Sequence, residues 1–341
     1  MRILNIVGCK NWAIDHLVYP LTQISKDIKV MPHHYFVDVV YHFTIGKPKS
    51  TEYNKTESTH FSLPKIKGYD IYHFHSGAAA RMCFKNKKIL DIMKGKKVFF
   101  TLHNERDVDE ILKWWYEGAF MRVDAFISPT KYVYNRFKDF FAQHKGSASV
   151  HYIPYAIEVE KFPYTEYYPK SDYVGYNGRV VEHKRLKRLA MASKRAGYDV
   201  WGTGYIEDSS YWRSIMKMDN VRMFILIEQK DMVDQMSTYR ILANISRPYI
   251  ETGTLSILEA CALGIPNLVT PIGWAKDHLK HEESAYFVKE DDIGELHKHI
   301  TFLMANAKLR EKIRKNARKI IEKYDMDWYL KEHIKIYRRL K

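Results

Sequence analysis

The sequence predicts an α/β protein of two doubly wound domains, and three observations lead there. At 341 residues the chain is longer than one hydrophobic core usually serves. Short apolar runs that end in glycine or polar residues alternate with segments of helical periodicity, the pattern of a parallel sheet with crossover helices. The stretch from Ser246 to Thr270 (SRPYIETGTLSILEACALGIPNLVT) reads as strand, loop, helix, strand, and its loop carries Glu251. In an open parallel sheet such a loop lies at the carboxyl edge, where ligands bind and where the new helix points backbone N–H groups at them.

In the first half, Arg2 to Val7 (RILNIV) is an apolar strand closed by Gly8, with a helical pattern following through Trp12, Leu17, Leu21 and Ile24. Val37 to Phe43 is a candidate strand, and Tyr69 to His75 is a strand ending at Ser76 and Gly77. Its His73 and His75 share one face. Ala78 to Met93 is predicted as one helix, and with Lys85, Lys88 and Lys97 it forms the densest basic segment of this half. The run VFFTL, Val98 to Leu102, is a buried strand that delivers His103 and Asn104 at its end. Asp124 to Ser128 is a strand, Lys131 to His144 an aromatic and basic helix, and Val150 to Pro154 the last strand before a boundary near Tyr164.

The second half opens on Tyr173 to Tyr176 as a strand, then Asn177, Gly178, Arg179 and, five positions on, Lys184. A strand end that offers Arg and Lys together suits a diphosphate, the Arg as a fork and the Lys as a point charge. Asp199 to Gly204 and Val221 to Leu226 are strands, Asp231 to Tyr239 a helix and Arg240 to Ser246 the next strand. In the central stretch, Ser256 and Glu259 have the spacing of a capping box, and Gly264 with Pro266 stops the helix. Two helical patterns lie between Ile293 and Tyr324, and Trp328 to Leu340 is a last, basic helix. The expected organisation is residues 1–164, residues 165–323 and a terminal helix over residues 324–341.

Glu251, seven residues, Glu259, then Ala260-x-Ala262-x-Gly264-x-Pro266 resembles the donor site of family 4 retaining glycosyltransferases of GT-B fold. The resemblance implies two Rossmann-like domains facing a cleft, with the terminal helix crossing back onto the first. It also implies roles. Glu251 would hold the transferred sugar, Glu259 the ribose hydroxyls, and Gly178, Arg179 and Lys184 the phosphates, while His103 would approach the sugar. Gly204 stands where the family has its nucleotide-base pocket, Gly253, Thr254 and Leu255 stand at the start of the donor helix, and Gly8 stands where a glycine pair is usual. Arg185 replaces the small residue that commonly follows the lysine. The implied donor is a nucleoside-diphosphate sugar, with a UDP-sugar as the expectation, and no tightly bound cofactor is implied.

The formal charge of +15 favours a polyanionic acceptor, for which Lys85, Lys88, Lys97 and Asn104 are the candidate contacts. The chain resembles a compact relative of phage DNA glucosyltransferases, which implies a hydroxymethylated base in duplex DNA; the alternative is a lipid-linked or polysaccharide acceptor at an anionic membrane. A nucleotide-sugar-binding module without catalysis would keep Glu259, Arg179 and Lys184 alone. Cys9, Cys83 and Cys261 form no metal-ligand pair, and no run reaches spanning length, so a cytoplasmic protein is expected. No metal site is expected either: the Asp107/Asp109 and Asp325/Asp327 pairs fall in or beside helical patterns, where residues two apart diverge.

Overall fold

The computed structural model describes residues 2–7, 28–32, 66–75, 77–118, 122–144, 148–164, 171–225, 229–248, 250–251, 253–289 and 293–339. Two six-stranded parallel sheets carry the fold. The first contains β1 (Ile3–Val7), β2 (Ile28–Pro32), β3 (Ile71–Phe74), β4 (Lys97–Thr101), β5 (Ala125–Ser128) and β6 (Ser149–Tyr152), in the order β2-β1-β3-β4-β5-β6. The β2 strand was not anticipated. Gly8, the helical pattern after it and the candidate strand Val37–Phe43 lie outside the described residues.

Strand side chains alternate between faces, and here both faces are covered. Leu4, Ile6, Tyr72, Phe74, Val98, Phe100 and Phe126 form one core with residues of the first-half helices. Ile3, Ile71, Phe99, Ala125 and Ile127 point the other way, into a core that includes Tyr329, Ile336 and Tyr337 of the terminal helix. That is why the strands read as continuous apolar runs rather than alternating ones. Each fully buried aromatic at this seam, such as Phe99 against Tyr337 at 5.3 Å between ring centroids, is worth about 2–3 kcal/mol by area burial.

Helices α1 (Gly77–Lys85) and α2 (Lys87–Met93) replace the single helix expected over Ala78–Met93. Asn86 breaks it. Its side-chain oxygen accepts from Ile89 N at 3.2 Å, so the residue caps the second helix in place of continuing the first. The other first-half helices are α3 (Val108–Tyr116) and α4 (Lys131–Gln143), the latter capped by Thr130.

The second sheet contains β7 (Tyr173–Asn177), β8 (Asp199–Gly204), β9 (Val221–Ile225), β10 (Ile241–Asn244), β11 (Asn267–Val269) and β12 (Tyr286–Phe287). Their order, β12-β11-β10-β7-β8-β9, runs outward from β7 in one direction and then restarts beside it with β10. Its helices are α5 (Leu186–Arg195), α6 (Ser209–Ile215), α7 (Gln229–Met236), α8 (Leu255–Leu263), α9 (Gly273–His278), α10 (Ile293–Ala305) and α11 (Ala307–Ile321). The last helix, α12 (Met326–Arg339), crosses back to the first sheet, where the Tyr337 hydroxyl lies 2.6 Å from His73 Nδ1. Among the described residues no helix is long and apolar enough to cross a membrane.

Candidate active site

In the second sheet, the chain reverses its direction of winding between β7 and β10, so the loops leaving their carboxyl ends diverge and leave a crevice. The β7 loop brings Gly178, Arg179, His183 and Lys184; the β10 loop brings Glu251. They converge on one carboxylate. Glu251 accepts from Lys184 Nζ at 2.5 Å and lies 3.0 Å from His183 Nε2 and 3.5 Å from Arg179 Nη2. Arg179 also pairs with Glu207 at 2.8 Å. Lys184 and Glu251 are 5% and 7% exposed, so neither charge is shared with bulk water.

Burial would raise the Glu251 carboxyl, but Lys184, with His183 and Arg179, outweighs it and holds the group at about 2. Burial lowers the Lys184 ammonium, against the pull of Glu251. Glu259 behaves oppositely. It lies on α8, partly buried, with Asn177 Nδ2 donating to it at 3.0 Å, and burial pushes its carboxyl up to about 7. The two glutamates of the motif are therefore shifted in opposite directions, Glu251 down and Glu259 up.

The α8 amino end departs from the expected capping box. Thr254, not Ser256, is the N-cap, and it makes no side-chain cap bond. The Thr254 and Ser256 hydroxyls instead accept from Asn244 Nδ2 at 2.8 and 3.4 Å, which ties the helix to the end of β10 and leaves its first turn without a capping side chain. At the other end Gly264, at φ 75°, closes the helix as expected. Gly204 and Gly178 are in close approach. A Cβ on Gly204 would stand 1.9 Å from the Gly178 carbonyl oxygen, so the β8 turn fixes the loop that presents Arg179. Gly253, at φ 144°, has no room either, with the Trp274 Cβ 2.9 Å from where its own would be. Leu255 opens α8.

At the first sheet's carboxyl edge the chemistry is neutral. His103 Nδ1 lies 2.9 Å from the Tyr155 hydroxyl and its Nε2 lies 3.2 Å from His75 Nδ1, while His75 Nε2 reaches Asn5 Oδ1 at 3.1 Å. The Asn5 carbonyl oxygen can only accept, so each histidine donates through Nε2 and accepts at Nδ1, and Tyr155 donates into the chain. Burial lowers His103 to about 3. Both ring nitrogens are engaged within the protein. Asn104 is exposed and donates to Asp107 at 3.1 Å.

The expected polyanion contacts do not gather here. Lys97 starts β4, at the sheet edge opposite His103, and pairs with Asp124 at 3.2 Å. Lys85 and Lys88 are exposed at the end of α1 and the start of α2. Sequence reading missed His183, Asn177, His75 as a partner of His103, and Tyr155. The first two had a signal, since they adjoin Lys184 and Gly178; Tyr155 had none.

Residues 160–320 match the family model of glycosyl transferases group 1. No curated protein sequence matches the chain. Among solved structures, the chain is similar to Anabaena HepE in complex with UDP and glucose, with a TM-score of 0.76 and 13% identity over 99% of this chain and 100% of that one. It is similar to sucrose-phosphate synthase from Thermosynechococcus elongatus, with a TM-score of 0.74 and 14% identity over 100% and 99%. The Staphylococcus aureus protein TarM aligns with a TM-score of 0.62 and 15% identity over 78% of this chain and 54% of TarM, so the chain spans about half of that protein's length. At these identities the likeness is one of fold. The second half of the chain thus resembles the glycosyl transferases group 1, and the two-sheet architecture is a GT-B fold.

Proposed function

We propose that the protein is a retaining glycosyltransferase that needs no metal and moves a sugar from a UDP-sugar to an acceptor hydroxyl. The observation that carries this is the buried cluster of Arg179, His183, Lys184 and Glu251 at the switch point, beside the uncapped start of α8. A diphosphate is the ligand that two buried or half-buried cations and a helix amino end would suit. Structures of HepE hold UDP and UDP-glucose, which supports uracil as the base.

In the reaction the bond from the sugar's anomeric carbon to the UDP oxygen breaks as the acceptor oxygen bonds to the same face. The acceptor proton passes to the departing phosphate oxygen. Arg179 and Lys184 take up the charge that develops on that phosphate, assisted by the α8 amino end at Thr254 and Leu255. As they turn toward it they release Glu251, whose carboxylate then accepts from the sugar hydroxyls. Glu259 serves the ribose hydroxyls. His103, neutral and locked by Tyr155 and His75, shapes the acceptor side and is not the base.

For the acceptor, two readings have an observation behind them. The net charge favours a polyanion, for which duplex DNA carrying a hydroxymethylated base is the candidate. The TarM complex with fondaparinux and α-GlcNAc-glycerol favours a saccharide or polyol chain. The test is to incubate the protein with UDP-sugars and each acceptor, follow UDP release and read the acceptor mass. UDP binding without transfer to any acceptor would leave a binding module and remove the enzymatic reading.

A further inference from the structure

The last 35 residues carry thirteen Lys and Arg against five Asp and Glu, which is eight of the chain's fifteen net positive charges. The fold turns part of that excess into a line. On α11, Lys308, Lys312, Lys315 and Lys319 are exposed at spacings of four, three and four, one straight stripe on a helix, and exposed Lys323 follows in the turn beyond. At 1.5 Å per residue the file is about 22 Å long. Among the described residues only Lys315 of the five has an ion-pair partner, Glu311 at 3.0 Å. The arginines of the same helix are used otherwise. Arg314 Nε donates to the Gly264 carbonyl at 3.0 Å and Arg318 Nη1 to the Ala262 carbonyl at 2.5 Å, pinning α11 across the carboxyl end of α8. The stripe is thus rigidly mounted and stands away from Glu251, which lies by the other end of α8. Beside it is a cavity of about 340 Å³ lined by Tyr164, Lys315, Arg318, Lys319 and Glu322.

We infer that this face of α11 docks the sugar–phosphate backbone of duplex nucleic acid, without reading bases. A single file of ammonium groups matches a line of phosphates. It does not match a bilayer, because Glu311 and Glu322 flank the file and no exposed large hydrophobic side chain lies on α11 to insert. A single strand fits less well, since no exposed aromatic on this helix offers a stacking platform. Base readout has no donor–acceptor side chain to use, because Asn316 donates to the Glu283 carbonyl at 2.9 Å. The inference bears on the acceptor of the proposed reaction but does not rest on the donor site.

The test is fluorescence anisotropy of the full chain with a 24-base-pair duplex between 50 and 200 mM salt, alongside calorimetry with UDP. Wild type should show a log–log salt slope of about −4, four to five phosphates at roughly −0.9 each. Lys312→Gln with Lys319→Gln should flatten it by roughly 1.8 and weaken binding at least about tenfold at 50 mM salt. Lys85→Gln with Lys88→Gln should leave the slope as it is. The inference fails if wild type has no duplex affinity at 50 mM salt, if the α1/α2 variant rather than the α11 variant loses it, or if phosphatidylglycerol vesicles bind through the same lysines and duplex does not. UDP binding, measured on the same samples, is expected to survive in the α11 variant; its absence from wild type would sink the donor reading and leave this one standing. Should the double variant unfold, Lys319→Gln alone, with a melt matching wild type, must flatten the slope by roughly 0.9.

Discussion

The two sheets share a parallel architecture and present their carboxyl edges as ligand-bearing rims, yet they fill them with opposite chemistry. The first sheet ends in neutral groups: Asn5, His75 and His103, linked in a chain to Tyr155. The second ends in Arg179, His183, Lys184 and Glu251, three basic side chains around one carboxylate. A strand order makes a crevice but does not choose its ligand. The residues directly after each strand do that, and here one rim carries charged groups and the other neutral ones.

The largest expected effect comes from removing charge at the second rim. Lys184→Met should lower turnover on the order of hundredfold, as for one lost preorganised donor, and cost about 3 kcal/mol in unfolding free energy because Glu251 loses its closest partner. Steady-state kinetics and urea titration measure both; unchanged values would place Lys184 outside the site.

Acid should separate the rims. His103 lies near 3 when folded and near the ordinary 6.5 when unfolded, so the unfolded chain takes up the proton first. Stability is retained above pH 6.5 and lost as pH falls toward 3, by about 3 kcal/mol between 6.5 and 4. Glu259 has the opposite sign. Its folded value near 7 exceeds the ordinary 4.5, so its contribution is full below 4.5 and is lost as pH rises through 7. Glu259→Gln should therefore remove a decline of about 3 kcal/mol between pH 4 and 8. Because the two contributions oppose each other, urea melts from pH 4 to 8 must compare wild type with the variant, and an unchanged profile in Glu259→Gln would contradict the Glu259 assignment.

Gly204→Ala sharpens the comparison from the backbone side. The added methyl meets the Gly178 carbonyl, which should cost about 2–3 kcal/mol and weaken UDP binding by displacing the Arg179 loop. The smallest effect belongs to the first rim. Tyr155→Phe leaves His103 Nδ1 without its donor, a loss of about 1 kcal/mol, with transfer falling a few-fold and UDP affinity unchanged by calorimetry. A large fall in UDP affinity would mean that the two rims are one site.

The sequence by itself determined what is local. Apolar runs located strands β3 to β11, Gly264 stopped α8, and the Glu251 and Glu259 spacing pointed to the loop and helix that hold them, because caps, periodicity and turn chemistry act within a few residues. Only the tertiary structure decided the rest. Lys184 meets Glu251 across 67 positions and His73 meets Tyr337 across 264, contacts set by which strands lie side by side. Burial pushes both carboxyls up, but only Glu251 has Lys184, His183 and Arg179 against it to bring it down, and neither residue type nor spacing carries that information. The same holds for the basic segments. Lys97 reads like any other lysine until the fold sets it at the amino end of β4 beside Asp124, whereas the lysines of α11 gain a common direction because Arg314 and Arg318 anchor the helix to α8.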